Sequence, residues 1–227
     1  MSSLEQVLLQ NRHRFTPVTQ FNFEKEPFHI FDFTSNNSAL LNIDLNNEQA
    51  FTDYVFNTLN DNSCSVGVGG YGEDRFIYSR SEVFGGEESR SIHLGIDIWA
   101  AAGTTVYTPL DGTVHSFANN NQHGDYGPTI ILGHQLQNVK FYTLYGHLNT
   151  ECLNDLFVGK KLKKGDHIAN FGTYEENVHW PPHLHFQIIH EIGDYSGDYP
   201  GVAKASEKEK WLKNSPDANL ILDIKGL

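Results

Sequence analysis

A mainly β fold, built as a small antiparallel β-barrel or sandwich with an α+β N-terminal appendage and a C-terminal helix, is predicted by three features of the sequence. Apolar residues alternate strictly around two short strings, HLGID (93–97) and HLHF (183–186), which is the period of a strand. GTTVYTPLDGTV (103–114) and VGKKLKKGDHIANFG (158–172) combine glycines with alternating apolar residues and read as β-hairpins. Helical spacing is confined to short stretches outside these strings.

From the N-terminus, residues 3 to 12 predict a short helix, with Ser3 and Gln6 at capping-box spacing. FHIFDFTSNN (28–37) is rich in aromatic and β-branched residues, Phe31 and Phe33 flank Asp32, and a strand is expected there. Between Asn47 and Asn60, the residues Phe51, Tyr54, Val55, Thr58 and Leu59 recur at helical spacing and predict an amphipathic helix. VGVGGYGEDRF (66–76) lacks the spacing and the following helix of a phosphate loop and reads as a turn. Beyond the core, Ser206 and Glu209 fit a capping box for a helix that carries Trp211 and Leu212 and stops near Pro216. The expected organisation is an N-terminal appendage over residues 1–85, a candidate cover for the cleft, then a β-rich core over 86–200. A C-terminal helix and tail, 201–227, pack back on that core.

The first string places Ile92, Leu94, Ile96 and Ile98 in one apolar row and leaves His93, Gly95, Asp97 and Trp99 opposite, with Gly95 making room between polar neighbours. In the second, Leu184, Phe186 and Ile188 form the buried row while His183, His185 and Gln187 look the other way. Imidazole nitrogen and carboxylate oxygen suit zinc, and a catalytic zinc site keeps three protein ligands with a fourth position open to water. Two histidines and one aspartate supply that set. Neither H-x-x-x-D nor H-x-H is specific alone; together, with apolar rows between the polar residues, they point to one metal site.

The order HLGID, LYGHL, HLHF resembles the M23 family of zinc metallopeptidases, the lysostaphin and LytM type, over roughly residues 86–193. The resemblance implies the LytM-type β-barrel or sandwich, the duplicated hybrid motif. It implies one zinc per chain, bound by His93, Asp97 and His185, with His147 and His183 acting in catalysis. The implied activity is hydrolysis of a peptide or related amide bond by metal-activated water, as an endopeptidase or an amidase. Where many family members have a short glycine-rich turn before H-x-H, this chain has TYEENVHWPP (173–182). WPPHLHFQ, together with DYGP (125–128), YTLYGHL and DYPGVA, is similar to the peptidase-like domain found between kinase-like and aminotransferase domains in some large fusion proteins.

Other polar residues have plainer roles. His115, His123, His134, His167, His179 and His190 are expected on hairpins or the surface, and Asp125 in a loop. Tyr145 and Trp180 are candidates for the substrate pocket, although aromatic residues beside strands usually belong to a core; Glu175 and Glu176 are candidate specificity contacts.

At 227 residues the chain is long enough to bury a core, and its formal net charge of −12 argues against nucleic acid as a partner. The KKLKK run (160–164) reads as a solvated hairpin, and the acidic balance gives no attraction to an anionic membrane or wall. The N-terminal residues lack a basic leader and an apolar stretch, and no transmembrane span stands out. Cys64 and Cys152 lie far apart and read as reduced thiols. These features predict a cytoplasmic protein acting on soluble peptides or cell-wall fragments. Two other classes compete: a histidine phosphocarrier-like module on a related barrel, against which Asp97 argues, and a non-catalytic zinc-stabilised interaction domain, which a fourth protein ligand would favour.

Overall fold

The computed structural model describes residues 3–44, 47–80 and 88–227. The boundary expected at 85/86 falls outside the described residues, as does the Ser3 side chain with its capping role. Helix α1 (Ser3–Gln10) buries Leu4 and Leu8 in the main core, beside Ile221 of the short C-terminal helix α4 (Asn219–Leu222) and Ile224 just beyond it. Strand β1 (His29–Phe31) pairs in parallel with β2 (Gly67–Gly69), so part of the expected glycine-rich turn is a strand. Glycine is required at position 67, because a Cβ there would stand 2.3 Å from the Phe31 ring. Helix α2 (Glu48–Asp61) starts at Asn47, whose side chain accepts from the Ala50 amide, and it buries Phe51, Val55 and Leu59.

Strands β3 (Arg90–His93), β4 (Ile96–Trp99), β5 (Thr105–Tyr107), β6 (Gly112–Asn120), β7 (Gly127–Leu136) and β8 (Val139–Gly146) follow. Strands β9 (Lys161–Leu162), β10 (His167–Asn170), β11 (His183–Ile189) and β12 (Val202–Lys204) and helix α3 (Lys208–Asn214) complete the set. Eight strands form one mostly antiparallel sheet in the order β1-β2-β4-β11-β8-β7-β6-β9, flanked by the ladders β10-β5 and β12-β3. The fold is mainly β, as predicted, with its strands in an open sheet rather than a closed barrel.

Three local expectations are corrected. The apolar row from Ile92 to Ile98 is not one strand: the chain breaks at Leu94–Gly95, sending Ile92 and Leu94 into a small cluster with Ala203 and Ile96 and Ile98 into the main core. The two hairpin strings exchange partners, since β5 pairs with β10 and β6 with β9. Pro109, which has no N–H to give a ladder, separates β5 from β6, and Thr108 bonds instead to Asp166 and Gly165 of the other string. Ser206 does not cap a helix; its amide and hydroxyl bond to Glu88 at 3.0 and 2.7 Å, and a 3-10 turn precedes α3.

The row Leu184, Phe186 and Ile188 packs into the main core as the alternation predicts. The opposite face of the sheet is also covered. A second cluster joins Phe31, Phe33, Phe51 and Val55 to Trp99 and Trp180, and a third joins Tyr126 to Ile189 and Tyr199. The polar residues of β4 and β11 therefore sit between two covered faces, in a medium where unpaired charge is expensive. Among the described residues no helix is long and apolar enough to cross a membrane.

Candidate metal centre

Antiparallel register brings the two strings together. On β11, His185 stands opposite Asp97 of β4 on one side and Gly146 of β8 on the other, while His183 stands opposite Trp99. His93 reaches the same point from the end of β3, across the break at Gly95. That break must stay free of a side chain, because a Cβ on Gly95 would lie 2.7 Å from the His185 ring. All three polar side chains are buried, with exposures of 0% for His93, 2% for Asp97 and 3% for His185.

Their ligand atoms form a small triangle. His93 Nε2 is 3.0 Å from His185 Nδ1 and 3.2 Å from Asp97 Oδ1, and the third edge, His185 Nδ1 to Asp97 Oδ1, is 3.0 Å. The hydrogen bonds behind the rings fix which nitrogens carry protons. His93 Nδ1 donates to the Gly70 carbonyl at 2.9 Å, which leaves Nε2 bare in the neutral ring. The Gln187 amide nitrogen donates to Pro200 O at 3.1 Å and Ser215 Oγ at 2.9 Å, so Gln187 Oε1 faces His185 and accepts from its Nε2 at 2.8 Å. Nδ1 of His185 is then bare as well. Two nitrogen lone pairs and a carboxylate oxygen thus converge with no proton between them, an arrangement that is repulsive unless a cation sits among them.

The dimensions fit such a cation. Four-coordinate zinc with bonds of about 2.0–2.1 Å spaces its ligands about 3.3 Å apart, close to the edges seen here. Among the described residues, the cluster of side chains able to hold a metal comprises these three. Burial would raise the Asp97 carboxyl, but the Arg75 guanidinium on its Oδ2 outweighs it and holds it well below the usual carboxylate range. Burial and the Arg75 charge push His93 down to about 4, against the weaker pull of Asp97.

A cavity of about 430 Å³ opens beside the triangle, and both remaining histidines line it. His183 lies between two rings, Trp99 stacked at 3.9 Å and 15° and His147 at 3.9 Å and 32°. His147 follows β8 directly, in a left-handed conformation with φ 62. Its backbone is pinned there by His147 N to Tyr126 O at 2.8 Å and Gly172 N to His147 O at 2.9 Å.

All five residues singled out in the sequence therefore meet at one place. Trp180 lines the cavity, whereas Tyr145 is fully buried in the main core. Asp125, expected in a plain loop, also lines the cavity. Glu175 and Glu176 lie away from it; Glu176 is tied to the amides of Thr150 and Thr173 at 2.8 and 2.9 Å. His134, expected on a hairpin surface, is buried on β7, bonded to Asp111 O at 3.0 Å and Thr143 Oγ1 at 2.7 Å.

Sequence reasoning missed the residues that support the site. Tyr126 packs against Gly146, where a Cβ would meet its ring at 2.6 Å, and stands 5.1 Å from the His185 ring. Arg75 donates to Asp97 Oδ2, to Tyr78 Oη at 3.0 Å and to Glu73 Oε2 at 2.8 Å. A charged triplet, EDR, inside a run of glycines and aromatics was the sole sign of it.

A model of peptidase family M23 matches residues 91–196, a span that contains all five residues. A curated protein of Haemophilus influenzae named "Uncharacterized metalloprotease" is 34% identical over 136 residues, covering 57% of this chain and 26% of its own length. This chain thus spans about a quarter of that relative. Among solved structures, a zinc-containing peptidase from Vibrio cholerae is 28% identical, with 43% of this chain and 27% of that chain covered and a TM-score of 0.34. The catalytic domain of lysostaphin from Staphylococcus simulans is 24% identical, with 53% and 80% covered and a TM-score of 0.36. Residues 91–196 of this chain thus resemble peptidase family M23.

Proposed function

We propose that the chain is a zinc-dependent hydrolase cleaving a peptide or related amide bond, with His93, Asp97 and His185 holding one zinc and His147 and His183 acting on the substrate. The observation that carries this reading is the convergence of three unprotonated ligand atoms beside a cavity that both other histidines line. Zinc held there would lower the pKa of a water molecule from 15.7 to about 7 and polarise the scissile carbonyl.

The two histidines divide the proton work by their surroundings. His183 donates Nδ1–H to Pro181 O at 2.7 Å, which leaves its lone pair on Nε2. Burial pushes this imidazole down to about 4, so the ring is neutral at neutral pH and Nε2 can accept a proton from the attacking water. Trp99 and His147 on its two faces hold its plane. His147, also kept neutral by burial, donates its N–H to the oxygen that gains charge at the tetrahedral carbon.

Soluble peptides or cell-wall fragments are the proposed substrates, in keeping with the formal charge of −12, which disfavours an anionic wall. The cytoplasm as compartment belongs to the same proposal, supported by the unpaired cysteines Cys64 and Cys152. A panel of glycyl and D-amino-acid peptides, assayed with chelator and after zinc is restored, tests it. Cleavage that chelator abolishes and zinc returns is expected. Lysis of intact sacculi without activity on soluble peptides would overturn the substrate class, and absence of any metal-dependent cleavage would overturn the reaction.

A further inference from the structure

We propose that Arg75, which lies outside the family-matched span, is a positioning residue of the metal centre: it engages Asp97 Oδ2 so that Oδ1 alone turns toward His93 and His185. This inference rests on the metal-site reading above.

The guanidinium is held from several sides. Nη1 donates to Asp97 Oδ2 and to Tyr78 Oη at 3.0 Å, Nε donates to Glu73 Oε2 at 2.8 Å, and the rings of Phe33 and Tyr78 lie 5.3 and 5.7 Å away. Glu73 is anchored in turn, its Oε1 accepting the Phe33 amide at 2.9 Å. The backbone fixes this group beside β3: Arg75 N bonds Ser91 O, His93 N bonds Glu73 O and Gly72 N bonds His93 O, each at 2.9 Å. The carbonyl of Gly70, in the same segment, sets the tautomer of His93. Residues 70–75 therefore orient two of the three ligands.

Stability alone does not account for this arrangement. A buried ion pair is often no more stable than apolar residues of the same volume, because desolvating the charges offsets their attraction. The guanidinium does have a geometric consequence. A carboxylate can offer a metal one oxygen or both, and with Oδ2 engaged by Arg75 only one is free. A coordination position stays open for water and the substrate carbonyl, as hydrolysis needs. Lysine would keep the charge, but its single ammonium lacks the planar fork that spans Glu73 and Asp97.

Co²⁺ titration of the metal-free full chain tests the proposal on wild type, Arg75→Lys and the paired variant Glu73→Met/Arg75→Met, which leaves no unpaired charge at position 73. The expected result is a 10- to 100-fold loss of Co²⁺ affinity in the variants, the usual effect of removing a partner behind a ligand. Their visible absorption should also weaken as the second Asp97 oxygen reaches the metal and the coordination number rises. Folded variants with wild-type affinity and spectrum would overturn the role of Arg75 alone; a wild type that binds no Co²⁺ would overturn the metal reading beneath it. Should neither variant fold, NMR of the wild-type Arg75 side chain decides. Slowly exchanging Nε and Nη protons that shift on adding Zn²⁺ support the proposal, and fast exchange with no shift overturns it.

Discussion

His185 receives a hydrogen-bonding partner on one ring nitrogen and two ligand atoms on the other, which makes it the residue least replaceable by a neighbour. His185→Ala should lose most bound metal. His183→Ala and His147→Ala should keep it while turnover falls by roughly 10²- to 10⁴-fold, the range for a lost general acid or base. Metal titration and single-turnover kinetics on the three variants check this; loss of metal from His183→Ala equal to that from His185→Ala, or full activity in His147→Ala, would refute the division of roles. Alternation drew attention to His93, Asp97, His183 and His185 in the sequence, whereas His147 and the roles of all five came from the resemblance of HLGID, LYGHL and HLHF to the M23 pattern. Arg75 and Tyr126 were not legible there, because their roles depend on long-range contacts, with Asp97 and with Gly146 and His185, that no local period announces.

At the scale of elements, the break between β3 and β4 is what lets His93 and Asp97, four positions apart, meet one ring of β11. Gly95→Ala should therefore damage the site without replacing a ligand: its Cβ would lie 2.7 Å from the His185 ring and from Phe186 O. The expected outcome is a cost of about 1–3 kcal/mol in urea unfolding, the usual penalty for overpacking, together with weaker metal binding. Wild-type stability and metal affinity in this variant would show that the break is incidental. Alternation identified β11 and its buried row correctly, helical spacing identified α2, and capping-box spacings pointed to helices where α1 and α3 lie, although Ser206 caps none. Alternation could not assign strand partners. The two hairpin strings look self-contained by local pattern, yet Pro109 and the bonds of Thr108 to Asp166 and Gly165 send each strand to the other string.

For the molecule as a whole, buried neutral imidazoles link stability to pH. His134 lies away from the metal centre, and burial pushes it from 6.5 down to about 4, only partly opposed by its bond to Asp111 O. The folded-state value is below the unfolded one, so between them the unfolded chain binds more protons. The stabilisation is complete above pH 6.5 and is lost as pH falls toward 4. Metal-free protein should lose up to about 3 kcal/mol through this residue over that window, at 1.36 kcal/mol per pKa unit. Urea unfolding from pH 7 to 4.5 should show a shallower decline in His134→Gln than in wild type; parallel declines would remove His134 as a contributor. The mainly β character was legible from alternation, but the way Phe31 of β1, Phe33 and α2 build a cluster against Trp99, and so against His183, was not. Metal content tests most directly whether the converging triangle is a zinc site. In protein purified without exposure to chelator, elemental analysis should find one zinc per chain in wild type and little or none in His185→Ala, whereas a wild-type chain free of transition metal would contradict it.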